Sequence, residues 1–292
     1  MLKSAFAVAA VGASLTFSTV GVGLPTQSRA EESAIATVLS KHAGSVVTVK
    51  FLLAMQENER EAEAGGLVID PAGLILVSNL EIGGSIGRGR ESAQAKEIRV
   101  LIGDDTQGLP AKIIGRDTEL ELAWVQLDKP AEKPLAFVDP AKGVTVKVGD
   151  ELVAIDRMNK YYDRVAVGLE LEVGGLTTKP RNLIIPSGGP LQWIGLPVFS
   201  EGGGFVGVSV VQPVGGDEDE PMAQRNMGRV SPFDRGLKVL PAAEVASATA
   251  RAIEAHKSGK ELGAEEAKPA VVKPEAQPGE KPEGDGMPGD KP

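Results

Sequence analysis

The chain of 292 residues contains no cysteine. Disulfides, a thiolate nucleophile and thiolate metal sites are therefore excluded. Only two histidines occur, His42 and His256, so an imidazole base has two places to come from. Aromatic residues are 4% of the chain, and both tryptophans, Trp124 and Trp193, fit a core or cleft lining better than a stacking platform. Basic charge is in deficit, with 31 Lys and Arg against 40 Asp and Glu. A net charge of -9 argues against a nucleic-acid partner, because phosphate binding needs a basic face. Long apolar runs are scarce as well. The most apolar one, residues 5–24, is interrupted by Gly12, Ser14, Thr16, Ser18, Thr19 and Gly21, which makes it weak for a membrane span.

That N-terminal stretch reads as a secretory signal covering residues 1–30. Lys3 supplies the positive start, and Ser28-Arg29-Ala30 places small residues at both cleavage-site positions. The alternative is a retained anchor. The signal reading predicts an exported protein, periplasmic or extracellular, with no integral span after cleavage. Residues 259–292 are rich in Lys, Glu, Pro and Gly. Such a composition cannot bury enough surface to offset ordering entropy and predicts a disordered tail. Residues 31–258 remain to fold, and without disulfides they must rely on a buried core.

Short Val-, Ile- and Leu-rich runs recur through that region, at residues 45–53, 66–69, 74–77, 98–102, 111–115, 122–127, 151–155, 165–171, 183–185 and 205–211. Turn signals punctuate them, such as Asp70-Pro71-Ala72-Gly73, Val148-Gly149-Asp150 and Glu201-Gly202-Gly203-Gly204. This pattern predicts an all-β barrel or sandwich. Two helices are expected, a short one at residues 32–41 and one at residues 242–257 bounded by Pro241 and Gly259.

Six blocks in succession resemble the secreted trypsin-like proteases of the HtrA (Deg) family. They are Gly44-Ser45-Val46-Val47-Thr48-Val49; Gly65-Gly66-Leu67-Val68-Ile69-Asp70-Pro71-Ala72-Gly73; Ala111-Lys112-Ile113-Ile114-Gly115-Arg116-Asp117; Val148-Gly149-Asp150-Glu151-Leu152-Val153-Ala154-Ile155; Gly203-Gly204-Phe205-Val206-Gly207-Val208; and Lys238-Val239-Leu240-Pro241 before the last helix. The resemblance implies a trypsin-like double β-barrel with an active cleft between two six-stranded barrels. The expectation is that the tail stands where a PDZ domain would follow the sixth block.

In register with that family, the catalytic positions are degenerate. The histidine position falls on Leu80 in an ungapped reading of Leu76-Val77-Ser78-Asn79-Leu80-Glu81-Ile82, or on Glu81 when Asn79 is the anchor. The aspartate position holds Glu121, in Glu121-Leu122-Ala123-Trp124-Val125. The serine position holds Ile194, thirteen residues before Gly207. A serine hydroxyl needs a neighbouring base to become a nucleophile, and the carboxylate serves by orienting that base. Leu80 and Ile194 offer no titratable group, so the expectation is a pseudoprotease. It would bind a protein or peptide ligand through the former substrate cleft in a scaffolding or chaperone-like role.

The alternative is an active serine endopeptidase with Ser187 as nucleophile, since Ser187-Gly188-Gly189-Pro190-Leu191 repeats the family string seven residues early. Neither histidine stands where its base belongs, and a Gly/Pro turn explains the string equally. No cofactor or metal is implied. Asp217-Glu218-Asp219-Glu220 lacks the ligand spacing of a calcium loop, and Gly83-Gly84-Ser85-Ile86-Gly87-Arg88-Gly89 opens no helix that could cradle phosphate.

Overall fold

The computed structural model describes residues 33–55, 58–84, 94–103, 105–188, 194–212 and 236–259. The expected signal, the tail beyond Gly259, Trp193 and the acidic run 217–220 lie outside them. Six strands, β1 (Val46–Met55), β2 (Asn58–Asp70), β3 (Leu74–Ser78), β4 (Gln94–Leu101), β5 (Leu109–Asp117) and β6 (Leu122–Leu127), close into a barrel in the order β1-β2-β3-β6-β5-β4. Six more, β7 (Glu151–Arg157), β8 (Ala166–Thr177), β9 (Leu183–Ser187), β10 (Pro197–Ser200), β11 (Phe205–Val210) and β12 (Lys238–Pro241), close into a second barrel in the order β10-β11-β12-β9-β8-β7. Helix α1 (Ala34–His42) precedes the first barrel and α2 (Ala242–Ser258) follows the second. Both barrels and both helices fall in one compact unit.

Burial explains why several strands read as continuous apolar runs rather than alternating ones. In β3 and β6, Ile75, Val77, Ala123 and Val125 fill the first barrel, while the intervening Leu76 and Trp124 join a second core. In β7, Leu152 and Ala154 fill the second barrel while Val153 and Ile155 face that same second core. It also takes in Phe199, Phe205 and Leu240 of the second barrel and Val245, Ala248 and Ala252 of α2. These strands have two buried faces, one inside a barrel and one against the shared core. Burying each such Val, Leu or Phe contributes about 1.5–3 kcal/mol.

The β2–β3 turn is set by its residues. Ala72 N donates to Asp70 Oδ1 (2.7 Å) and Gly73 N to Asp70 O (3.0 Å). Gly73 has φ +90, and a Cβ there would lie 2.4 Å from Leu127 Cδ1; only glycine fits.

Strands β1, β2, β4 and β8 run longer than the apolar runs predict. The start of β2, Asn58 to Glu61, is exposed, so it pairs with β1 without an apolar signature. Strands β10 and β12 are absent from the predicted set. Each has four residues, and β12 runs directly into α2. The helices match their predicted positions within two residues, and α2 ends with Gly259 in the left-handed conformation at φ +67, the common C-terminal cap.

Candidate active-centre cleft

Strand β3 delivers its last residue, Ser78, to the seam between the barrels, where residues 79–83 form a tight turn. Ile82 N donates to Ser78 O (3.2 Å) and Gly84 N to Asn79 O (2.6 Å). Arg116 of β5 pins the turn from behind, donating to Asn79 Oδ1 (2.7 Å) and Ile82 O (2.9 Å). Across the seam, the segment after Ile194 is tied to β11. Gly195 N donates to Ser209 O (2.7 Å), Ser209 N to Leu196 O (2.9 Å) and Leu196 N to Ser209 Oγ (2.9 Å).

Two of the segments that carry the predicted positions meet that turn. Asn79 N donates to the backbone oxygen of Glu121 (3.0 Å), and a Cβ on Gly195 would lie 3.1 Å from Ser78 Cβ. The sequence leaves two residues for the histidine position, Leu80 and Glu81. A Cβ on Gly195 would also lie 3.5 Å from Glu81 Oε2, so the Glu81 carboxyl reaches the segment after Ile194. The reason is the start of the turn: β3 ends at Ser78 and the chain tightens at Asn79, which places the third turn residue toward the second barrel. Leu80 donates no side-chain chemistry from its half-buried place.

Glu81 Oε2 is buried without a hydrogen-bond partner. Burial, then the charge of Asp156, pushes its carboxyl up to about 7, opposed by the backbone N–H of Gly65. Asp156 stands near the end of β7, in the other barrel. Its carboxyl is also raised by burial, although Arg157 N donates to Oδ1 at 2.7 Å. Sequence reasoning missed Asp156. A lone acid inside the apolar run Leu152-Val153-Ala154-Ile155-Asp156 is the signal that could have found it.

Glu121, read from the sequence as the aspartate position, is a buried carboxyl just before β6. It is 2% exposed, sits at φ +61, and neither carboxylate oxygen has a partner. Its carboxyl is pushed up to about 7 by burial and then by Asp117. Asp117 itself is held by the backbone N–H groups of Glu119 and Leu120 and lies 3.6 Å from Arg251.

Both histidines are away from the seam. His42 Nε2 lies 2.7 Å from Gly203 O, and its ring stacks on Phe199 at 4.2 Å between centroids; His256 lies in the last turn of α2. Ser187, the alternative nucleophile, ends β9 and donates to Glu172 O at 3.4 Å. No histidine or lysine hydrogen-bonds it among the described residues. Trp124 is fully buried and donates through Nε1 to Thr249 Oγ1 (3.0 Å), a core role. No group of metal-ligating residues occurs among the described residues.

Two closed six-stranded barrels with a closing helix define a trypsin-like double-barrel protein. Similarity to known proteins gives the same class more narrowly, an HtrA/Deg-type relationship. The chain is 27% identical over 195 residues to a protein named "Probable periplasmic serine endoprotease DegP-like" in Pseudomonas savastanoi pv. phaseolicola, covering 60% of this chain and 37% of the relative. It is 28% identical over 196 residues to the protein of that name in Pseudomonas fluorescens, covering 60% and 38%. A match to the Rickettsia conorii protein is 36% identical over 90 residues, covering 31% and 15%. The chain spans well under half the length of these curated relatives. No family model matches the sequence.

Proposed function

We propose that this chain is an exported HtrA-like pseudoprotease whose inter-barrel cleft binds extended or unfolded polypeptide without cleaving it. One observation carries the reading. The seam brings Glu81 against Gly195, next to Ile194, the residue that the family register assigns to the serine position. A carboxyl near neutrality can accept a proton, but isoleucine has none to give and no lone pair for acyl transfer. Ser187 supplies no substitute, because its hydroxyl donates to a main-chain carbonyl rather than to a base. Export is supported by the signal-like residues 1–30 and by the word periplasmic in the relatives' names. No helix among the described residues is long and apolar enough to cross a membrane.

The test is covalent labelling with a fluorophosphonate, read by intact mass. No adduct is expected under conditions that label a DegP-type relative to completion. Stoichiometric addition at Ser187 would instead establish the active endopeptidase. In parallel, the protein should suppress aggregation of a chemically unfolded model protein at stoichiometric ratios, and leave that protein's chain intact.

A further inference from the structure

The first barrel closes through a short ladder. Strands β4 and β5 pair only at Arg99 with Pro110 and at Val100 with Leu109. Along the rest of their lengths β4 pairs with β1 and β5 with β6. Each therefore keeps one edge without a ladder partner among the described residues. Two local features hold the strands apart. Pro110 has no N–H to continue the ladder. In β4, Glu97 sits at φ +50, and Glu97 and Ile98 together oppose Phe51 alone, between the Lys50–Arg99 and Leu52–Lys96 pairs. A bulge of this kind bends its own strand. The groove between the splayed strands encloses about 550 Å³, and Ala95, Ile98, Ala111 and Ile113 supply its apolar lining. Glu97, Lys112 and Asp128 also line it and make no ion pair among the described residues. Arg99 is held by the carbonyls of Gln107 and Gly108, both at 3.2 Å.

A segment of the chain beyond the described residues matches this groove in chemistry and in reach. Residues 260–292 contain the run Ala270-Val271-Val272 between Pro269 and Pro274. Adjacent β-branched residues favour a strand, and the two prolines limit it to residues 270–273. Lys268 and Lys273 flank the run and complement Glu97 and Asp128, while Glu275 complements Lys112. Arg251 of α2 lies 3.6 Å from Asp117 at the end of β5. A path from Gly259 back along α2 to Arg251, across that contact and down β5 to Lys112 is at most about 43 Å. The thirteen residues from Gly259 to Val272 span up to about 43–47 Å when extended.

We propose that residues 269–274 of the same chain dock as a short β-strand in the groove between β4 and β5, capping the open edge of the first barrel. The backbone N–H and C=O groups of the segment complete ladders that the two strands leave open. Its valines leave water against the apolar lining, and the segment orders only as it docks. Tethering supplies it at an effective concentration on the order of millimolar, so a weak contact suffices. Occupancy of about three-quarters strengthens the folding equilibrium only about fourfold, and the barrels fold without it. A bare edge can template pairing with another chain; the docked segment blocks that pairing. The groove belongs to the first barrel alone, and its role stands whether or not the inter-barrel cleft binds polypeptide.

The chain has no cysteine, so a nitroxide on Gln277→Cys marks the full chain at one place beside the segment. Paramagnetic broadening of backbone amide resonances is then read in isotope-labelled protein. The amides of Ala95, Ile98, Lys112 and Ile113 should broaden several times more than those of β8 in the second barrel. Val271→Asp together with Val272→Asp, which leave the barrels untouched, should remove that excess. A synthetic peptide of residues 266–276 added to this double variant should shift the same four amides. Broadening that is absent, or spread evenly over both barrels, would overturn the proposal, as would an excess that survives the two aspartates. A mixture of labelled chain without nitroxide and unlabelled chain with it identifies the occupant. The excess should vanish there, and its persistence would assign the groove to a second copy instead.

Discussion

Glu121 combines deep burial, a left-handed backbone and two unpartnered oxygens, each costly for a carboxylate. A non-glycine residue at positive φ costs of order 1–3 kcal/mol, and an ionised buried carboxylate without donors costs more unless it keeps its proton. Its folded position, raised to about 7, means that the folded state holds a proton more tightly than the unfolded chain. Stability from this group is complete below about pH 4.5 and is lost as pH rises through about 7. Glu121→Gln should therefore stabilise the protein at about pH 8, by up to about 3 kcal/mol. It should also flatten the decline between about pH 4.5 and 7, measured by urea unfolding across that range. Parallel curves for variant and wild type would remove Glu121 as a stability determinant. Glu121 could be found from the Glu121-Leu122-Ala123 string, because strand register carries it to the seam. Its left-handed φ of +61 could not, because backbone torsion leaves no mark on that string. Leu80 against Glu81 is a one-residue ambiguity that a hairpin absorbs without changing composition, so the sequence alone leaves it open.

At the scale of elements, the strands most visible in sequence are those buried on both faces, such as β3 and β6, where no polar residue interrupts the run. The exposed start of β2 was not visible, because its stability comes from pairing with β1 rather than from burial. Gly207 shows how close two elements come. It pairs with Pro241 across β11 and β12, and a Cβ there would stand 2.0 Å from Leu240 O and 2.9 Å from Leu240 C. Backbone atoms cannot rotate aside, so Gly207→Ala must push β12 away and disturb the junction with α2. A destabilisation of about 2–4 kcal/mol is expected in equilibrium unfolding. A change within about 0.5 kcal/mol would mean that β12 moves freely, and that the sequence match at Gly207 has no steric basis.

For the whole molecule, α2 is the element that closes the shared core. Val245, Ala248 and Ala252 are fully buried there, beside Trp124 of the first barrel and Phe205 and Val208 of the second. Thr249 accepts the Trp124 Nε1–H at 3.0 Å, and Arg251 lies 3.6 Å from Asp117. Removing α2 would expose these apolar side chains, about 1.5–3 kcal/mol for Val245 and less for each alanine. It would also leave the indole N–H without its protein acceptor, at about 1–3 kcal/mol if it stays buried. That sum approaches the total stability of an ordinary domain, about 5–15 kcal/mol. Residues 260–292, which lie outside the described residues, have the composition of a chain that contributes no core. Two shortened chains separate these effects. One ending at Gly259 should melt within a few degrees of the full chain, because the helix and its glycine cap are complete. One ending at Pro241 should lose its cooperative thermal transition, read by circular dichroism. A drop larger than the roughly 2–4 °C expected per ~1 kcal/mol at this size in the chain ending at Gly259 would show that the tail packs on the fold. A cooperative transition retained by the chain ending at Pro241 would show that the barrels close their core without the helix.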